Sequence, residues 1–509
     1  MPSHIAALAY MLIGIGSAWF MASVSFPKYG QLLVRVAASL SAISVLMIFS
    51  PSGAVFFLAS AMVLLVAAPR DTVERILYFC AMLPSIPLVP SWSIPFPGIN
   101  YLFVINYPRL LMLVVLLPLI FSERDSRVLA IDEKGLKRVV FIVCCYLALG
   151  AILDFRSTSL TNGMREFVVY AITYGIPVLA LARVCAVRGA PEAALFGMMI
   201  GGIFVFFIGL MQFLSDWYFY LEIDSSLIRG PMSYEMIFDY RGGRRIPSTM
   251  EIIPFGVYMS LCAGIAYACR ERMGGSKIAA LLAPMFAVGT LFSGSRAAQI
   301  SVVLIAFLLF YFSSHAVRVR KLLLFGALVV LVGGVTAFNR ISALDPYGTF
   351  QYRVDLLSNS AEVIAENPVF GTPDYRDHPS MERSRQGQGI IDVVNAYLSV
   401  ILRHGTAGLA LFVIPLWLAM RRLSSYRWRL GETGDPNEEY FVRLLLALMI
   451  SYAFALATVS MVDRLSIYYW ILIVVGAGVG ARTAVPESVA EKPTSGPARR
   501  GVSVHDYAR

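Results

Sequence analysis

Long apolar runs separated by short polar connections make up most of this chain. The runs are about 17 to 22 residues long, the length of helix that crosses the hydrocarbon core of a bilayer. Two of them are irregular, because 74–90 is rich in proline and 394–420 is broken by the sequence HGTAG. The pattern predicts an all-α polytopic membrane protein with about 12 to 15 transmembrane helices. The candidate segments are 5–25, 33–50, 53–69, 74–90, 106–122, 137–154, 165–184, 190–213, 252–270, 277–293, 297–314, 320–338, 394–420, 440–460 and 464–481.

The composition favours one helical membrane domain over several soluble domains. Hydrophobic residues make up 58% of the 509 positions and charged residues only 15%. All six cysteines lie within apolar runs or at their ends, without metal-ligand spacing, so we expect buried thiols and neither a disulfide nor a metal site. The net charge of +10 does not indicate nucleic acid, because Lys and Arg accumulate in the cytoplasmic loops of membrane proteins.

The basic connections orient the chain in the membrane. Four of them, 122–138, 269–277, 313–321 and 421–429, fall on one side when the spans alternate. The positive-inside rule makes that side cytoplasmic, together with the C-terminus. The predicted units are N-terminal transmembrane helices 1–213, an external loop 214–251, helices 252–338, a large external loop 339–393, C-terminal helices 394–482 and a disordered cytoplasmic tail 483–509.

Arginines on the external side are unexpected under this orientation. The turn FSGSRAAQ, residues 292–299, places Arg296 between two spans. A single external arginine commonly snorkels at a helix end or pairs with a carboxylate. A set of them favours an anionic ligand, because the planar guanidinium matches phosphate oxygens. Ser293 and Ser295 would add hydroxyl donors, and a lipid-linked diphosphate or an anionic lipid headgroup fits equally well. The other members of the set are Arg109, Arg165, Arg241, Arg244, Arg245, Arg353, Arg376, Arg383 and Arg385.

An amphipathic helix is predicted in the large external loop. In VDLLSNSAEVIAENP the apolar residues recur at helical spacing, and Asn367 and Pro368 are expected to end the helix. Gly371 is expected to turn the chain towards the rest of the loop. We expect the helix to lie on the membrane domain through Val354, Leu357, Ala361, Ile364 and Ala365.

Four segments of the C-terminal half, taken together, resemble a known family. They are RRIPSTMEIIPFGVYM, FSGSRAAQ, QYRVDLLSNSAEVIAENPVFGTP and VNAYLSVILRHGTAGLALF, between about Arg241 and Phe412. Their content and order are similar to those of the O-antigen ligase and polymerase superfamily, the Wzy and WaaL proteins. The matching motif positions beside the arginines are Ser295, Gly371, Asn395 and Tyr397.

The resemblance implies a helical membrane glycosyltransferase of the GT-C type. Its donor would be an undecaprenyl-diphosphate-linked oligosaccharide, used at the periplasmic face of the bacterial inner membrane without a nucleotide sugar, a cofactor or a metal ion. Arg245, Arg296 and Arg353 match the family's motif arginines, with Arg244 beside them, and would stabilise the diphosphate leaving group. Membrane lipid and the chain-length regulator and flippase of the same pathway are the implied partners.

One departure from the family pattern leaves the function open. Ligases commonly carry a histidine before the Asn of the Asn-x-Tyr-Leu motif as general base, whereas Val394 precedes Asn395 here. The candidate bases are therefore His378, Asp377 and Asp392, whereas His404 is expected to be structural. The leading hypothesis is a polymerase of lipid-linked repeat units.

Two other functions remain in view. One is a ligase that transfers glycan to lipid A core or to protein. The other is a glycolipid transporter or flippase, which would carry ionisable residues at mid-membrane depth or paired broken helices. The charges in this chain lie mostly at the ends of its spans, which disfavours a transporter.

Overall fold

The computed structural model describes most of the chain. It covers residues 3–88, 90–98, 100–122, 132–156, 158–223, 227, 245–270, 278–313, 318–319, 321, 348–385, 391–433, 436–461 and 464–482. Arg241, Arg244, most of the predicted span 320–338 and the predicted tail 483–509 lie outside the described residues.

Helices account for nearly all of the regular structure in the described part. They are α1 (Ser3–Ser25), α2 (Gly30–Phe49), α3 (Gly53–Ala67), α4 (Thr72–Met82), α5 (Tyr107–Phe121), α6 (Glu133–Asp154), α7 (Leu160–Val184), α8 (Ala190–Ser215), α9 (Ile252–Cys269), α10 (Leu282–Phe292), α11 (Arg296–Ser313), α12 (Thr349–Glu366), α13 (Pro379–Glu382), α14 (Ala396–Thr433), α15 (Pro436–Leu456) and α16 (Leu465–Gly480). Short 3₁₀ turns occur at Pro27–Tyr29, Phe219–Glu222, Ala279–Leu281 and Tyr375–Asp377. Strands β1 (Ser91–Ser93) and β2 (Val104–Asn106) form an antiparallel pair.

The all-α polytopic membrane fold is confirmed. Within the described residues, nine helices are long and apolar enough to cross a membrane: α1, α2, α6, α7, α8, α9, α11, α14 and α15. Shorter apolar helices cover the predicted spans 53–69, 106–122, 277–293 and 464–481. The predicted span 74–90 differs, because α4 ends at Met82, just before Pro84 and Pro87.

The core of the bundle lies around α16. Every residue of this helix, from Leu465 to Gly480, is buried. It is packed against α6, α7, α14 and α15. The apolar surface that could face lipid therefore belongs to other helices. The break predicted within 394–420 is confirmed, because Gly405 has φ +66° and ψ −168° inside α14.

The described part of the large loop folds onto the start of α14 with a small core of its own. The predicted helix is confirmed as α12, and the chain leaves it at Asn367. The predicted contact face was wrong: Val354 and Leu357 are 42% and 54% exposed, and Ala361 and Ala365 are exposed too. The buried face points instead into the loop's own core, which consists of Leu356, Val363, Tyr375, Met381, Ile391, Val393, Leu398 and Leu402.

Candidate active site at one end of the helix bundle

Close packing sets the relative direction of α9 and α11. A Cβ atom added to Gly256 would lie 2.9 Å from Cβ of Ala298, and one added to Gly264 would lie 2.7 Å from Cγ2 of Ile305. The residue numbers rise in the same direction along both helices, so the two helices are parallel. The N-termini of α9 and α11 therefore lie at the same end of the bundle.

Helix α15 runs in the opposite direction beside α11. Leu448 approaches Gly264, at the level of Ile305, whereas the Ser451 hydroxyl donates to the carbonyl oxygen of Ser301 at 3.2 Å. As residue numbers rise along α15, they fall along α11. The segment that follows α15 thus lies at the same end as the N-terminus of α11.

The turn before α11 is held by its own serines. Gly294 has φ +60°. The Ser293 hydroxyl donates to the carbonyl of Thr290 at 2.7 Å and accepts from the N–H of Ser295 at 3.1 Å. Oγ of Ser295 accepts from the N–H of Ala298 at 3.4 Å and caps the helix. Both serines are buried and hold the turn, and their predicted contact with a ligand stays a prediction.

Arg245 and Arg296 meet at this turn. Nε of Arg245 donates to the carbonyl of Ser293 at 2.8 Å, and its side chain lies over Gly294. Arg296 is the first residue of α11 and is exposed. Within the described part of the chain, its guanidinium has no hydrogen-bond or ion-pair partner. The helix N-terminus adds partial positive charge at the same place.

Arg353 reaches the same end from the large loop. It lies in the first turns of α12, is exposed, and donates to the carbonyl of Thr458 at 3.3 Å. Thr458 follows α15, whose C-terminus lies beside the N-terminus of α11. The structure therefore places Arg245, Arg296 and Arg353 at the same end of the bundle, and we call the region formed by these residues and Thr458 the arginine end.

Asp392 is the predicted base that lies next to the arginine end. Its Oδ1 accepts from the Ser460 hydroxyl at 3.0 Å, and Ser460 is two residues beyond Thr458. The Tyr352 hydroxyl donates to the carbonyl of Asp392 at 2.8 Å and accepts from its N–H at 3.1 Å. The carboxylate is exposed, and Oδ2 accepts no hydrogen bond from the residues that the structure describes.

His378 and Asp377 lie elsewhere. Nδ1 of His378 accepts from the N–H of Ser380 at 3.2 Å, and Nε2 faces Glu366 at 3.2 Å. Glu366 is the last residue of α12, 13 positions beyond Arg353, which corresponds to roughly 20 Å along the helix. The structure therefore does not bring these two candidates to the arginine end. The histidine ring instead caps α13.

The other motif positions build the framework. Oδ1 of Asn395 accepts from the N–H of Leu398 at 3.0 Å and caps α14. The Tyr397 hydroxyl donates to the carbonyl of Ala453 at 3.0 Å, which ties α14 to α15. Gly371 has φ +60° and turns the chain as predicted.

Several predicted external arginines have partners inside the protein. Nε of Arg109 donates to the Thr173 hydroxyl at 3.1 Å, and that of Arg165 donates to the carbonyl of Tyr101 at 3.0 Å. Arg385 pairs with Glu382 at 2.6 Å, and its hydrogen bond lowers the pKa of that carboxyl. All three guanidinium groups are thus engaged by hydrogen bonds within the protein, and that of Arg385 also by an ion pair.

Two arginines that hold the framework of the site were missed from the sequence. Arg464 is fully buried and donates to the carbonyls of Thr249, at 3.2 Å, and Ile86, so it holds the segment that carries Arg245. Arg156 donates to the carbonyl of Gly371 at 2.8 Å. The available signal was a charge directly at the end of an apolar run, which is too common to single these residues out.

Residues 280–413 match the family model described as O-antigen ligase. This segment of the chain is similar to an O-antigen ligase domain. The resemblance predicted from the motifs is thus confirmed over residues 280–413, and the protein is a multi-pass membrane protein. The domain contains Arg296, Arg353, Asp392 and Asn395, whereas Arg245 lies outside it. No curated protein is significantly similar to the chain.

Proposed function

We propose that the protein is a polysaccharide polymerase of the bacterial inner membrane. It joins undecaprenyl-diphosphate-linked oligosaccharide units into O-antigen, capsule or exopolysaccharide. The observation that carries the proposal is the arginine end, where Arg245, Arg296 and Arg353 from three separate segments of the chain lie at the same end of the bundle. The positive-inside rule assigns this end to the periplasmic face.

The arrangement supports transfer of a glycan from a lipid diphosphate. A hydroxyl of the incoming unit attacks the anomeric carbon of the growing chain, and the bond from that carbon to the diphosphate oxygen breaks. The hydroxyl proton passes to the Asp392 carboxylate, and undecaprenyl diphosphate leaves with its bonding electron pair. Arg296 and Arg353 stabilise the charge that grows on the leaving group.

Two observations favour polymerase over ligase activity. Val394 stands where ligases commonly carry their histidine. His378, the substitute available in the loop, has both ring nitrogens engaged at the far end of α12. A carboxylate base at Asp392 fits the site without any movement of that loop.

The test is polymer synthesis by purified protein in nanodiscs, supplied only with undecaprenyl-diphosphate-linked repeat units and analysed on a gel. We expect a ladder from the wild-type protein. Arg296→Ala and Arg353→Ala should each lower kcat by about 100-fold, as removal of a donor to a developing oxyanion does. Arg270→Ala is the control, since Arg270 lies on the Tyr267 ring at the opposite end of α9. Full-length polymer from both folded variants would refute the proposal.

The second candidate is a ligase, favoured by the description of the matching family model. It would transfer one preformed glycan to lipid A core or to protein. Adding lipid A core to the same reaction distinguishes the two functions. A single mobility shift of the core, without a ladder in its absence, would establish the ligase.

A further inference from the structure

One arginine of the N-terminal half connects two motifs of the C-terminal half. Arg156 follows α6, and its guanidinium donates to the carbonyls of Gly371 at 2.8 Å, Phe370 at 3.1 Å and Arg403 at 3.2 Å. Its Nε also donates to the carbonyl of Leu153 at 3.1 Å, which fixes the side chain on its own helix end. One side chain thus holds the loop after α12 and the segment before the α14 kink.

An ion pair between the buried carboxylate of Asp154 and the exposed Arg403 reinforces the same junction. Arg403 donates through Nε and a terminal nitrogen to Oδ1 of Asp154, at 3.1 and 2.7 Å. The side chain of Asp154 is only 3% exposed. Asp154 is the last residue of α6 and Arg156 lies two positions beyond it. The end of α6 therefore binds both the side chain of Arg403, through Asp154, and its backbone carbonyl, through Arg156. We call Asp154, Arg156 and Arg403 the latch.

The loop and the kinked helix fit together tightly beneath the latch. A Cβ atom on Gly405 would lie 2.2 Å from the carbonyl of Val369, so the two backbones touch. Three backbone hydrogen bonds cross the contact: Thr372 N–H to Leu402 at 2.8 Å, Thr406 N–H to Pro368 at 2.8 Å and Ala407 N–H to Val369 at 3.1 Å. The C-terminal end of α12 is therefore docked at one defined place.

We propose that Arg156 is a positioning residue for the transfer reaction. By docking the end of α12, it sets where Arg353, at the start of that helix, stands relative to Arg296. The planar guanidinium suits this task because its fixed fork of N–H groups reaches carbonyls from two segments at once, which an ammonium group does less well. The kinetic part of this inference rests on the proposed function, whereas the docking does not.

The docking is tested by hydrogen exchange of the full-length protein in nanodiscs. The probes are the amides of Thr372, Thr406 and Ala407, which cross the contact. Arg156→Ala should speed their exchange by about 10-fold or more, because three hydrogen bonds to a charged donor are lost at a local opening. The exchange rates in Arg156→Lys should fall between those of the wild type and Arg156→Ala, because lysine keeps the charge but has fewer N–H donors. Unchanged exchange in Arg156→Ala would overturn the proposal.

A matched control separates this effect from the loss of any arginine. Arg183 also donates to a backbone carbonyl, that of Ser122 at 2.6 Å, at the opposite end of α7. Arg183→Ala should leave the three amides and the ladder unchanged. If Arg156→Ala yields no folded protein, the same exchange measurement is made on Arg156→Lys and Arg156→Gln.

The positioning role is tested by kinetics on the polymer ladder. Arg156→Ala should lower kcat by about 10-fold and leave KM within about 2-fold, because the exposed arginines that bind substrate remain. Faster exchange with unchanged kcat would overturn the positioning role. No ladder from the wild-type protein would overturn the proposed function, and the exchange measurement would still decide whether Arg156 docks the loop.

Discussion

Gly371→Ala offers a quantitative test of the contact between the loop and the kinked helix. Gly371 has φ +60°, a conformation that costs an L-residue about 1 to 2 kcal/mol. A Cβ atom there would lie 2.4 Å from the carbonyl oxygen of Leu402 and 2.7 Å from the backbone N of Gly405. Both neighbours are backbone atoms of α14, so they cannot rotate out of the way.

A second glycine separates the conformational cost from the steric one. Gly348 also has φ +60°, but nothing lies within 4 Å of a Cβ atom added to it. Gly348→Ala should therefore lower the free energy of unfolding by about 1 kcal/mol. Gly371→Ala should lower it by about 2 kcal/mol more, the typical cost of forcing an extra carbon into a packed contact.

The assay is unfolding of both variants and the wild type in mixed micelles, followed by tryptophan fluorescence, with the same three proteins tested for ladder formation. The reasoning predicts the larger loss of stability and the larger loss of polymer for Gly371→Ala. Equal unfolding free energies for the two variants would refute it, because the steric contact would then contribute nothing.

Two smaller effects follow from helix caps. Ser295→Ala removes the acceptor for the N–H of Ala298 and should cost about 1 kcal/mol in the same unfolding assay; Ser295→Asp should restore most of it, and no loss with Ala would contradict the cap. The pKa of Asp132 is lowered by the N–H of Gly135 and then by Arg422. The ionised carboxylate therefore stabilises the folded protein above about pH 4, and this stabilisation is lost as the pH falls further. Asp132→Asn should flatten stability between about pH 4 and pH 2, and an unchanged pH profile would exclude that role.

Local sequence signals were sufficient for most of the helices of this fold, whereas the predicted span 74–90 and the strand pair β1–β2 show their limit. Run length and hydrophobicity predicted the spans, the HGTAG sequence predicted the break at Gly405, and Asn367 with Pro368 predicted the end of α12. Each of these signals acts within a few residues of its effect. Side-chain identity alone fixes such features, because helix propensity and backbone restrictions are local.

Long-range contacts decided the features that sequence patterns missed. The face that α12 buries depends on Tyr375 and Met381 further along the loop, which helical spacing does not reveal. Arg156 meets Phe370 across 214 positions of sequence. No periodicity or motif connects residues so far apart, and only the packed structure shows that an arginine of the N-terminal half serves a C-terminal motif.

The structure also separates two kinds of motif residue. Asn395 caps a helix, Ser295 caps another, and Gly371 fits a backbone contact, so their chemistry is satisfied within the protein. Arg296 and Arg353, by contrast, are exposed at one end of the bundle and remain available to a substrate. On the proposed function, a general base must stand at that same end. Asp392 lies next to it, two residues before the position where ligases commonly carry histidine, and a carboxylate there would take over proton transfer without any change in the framework.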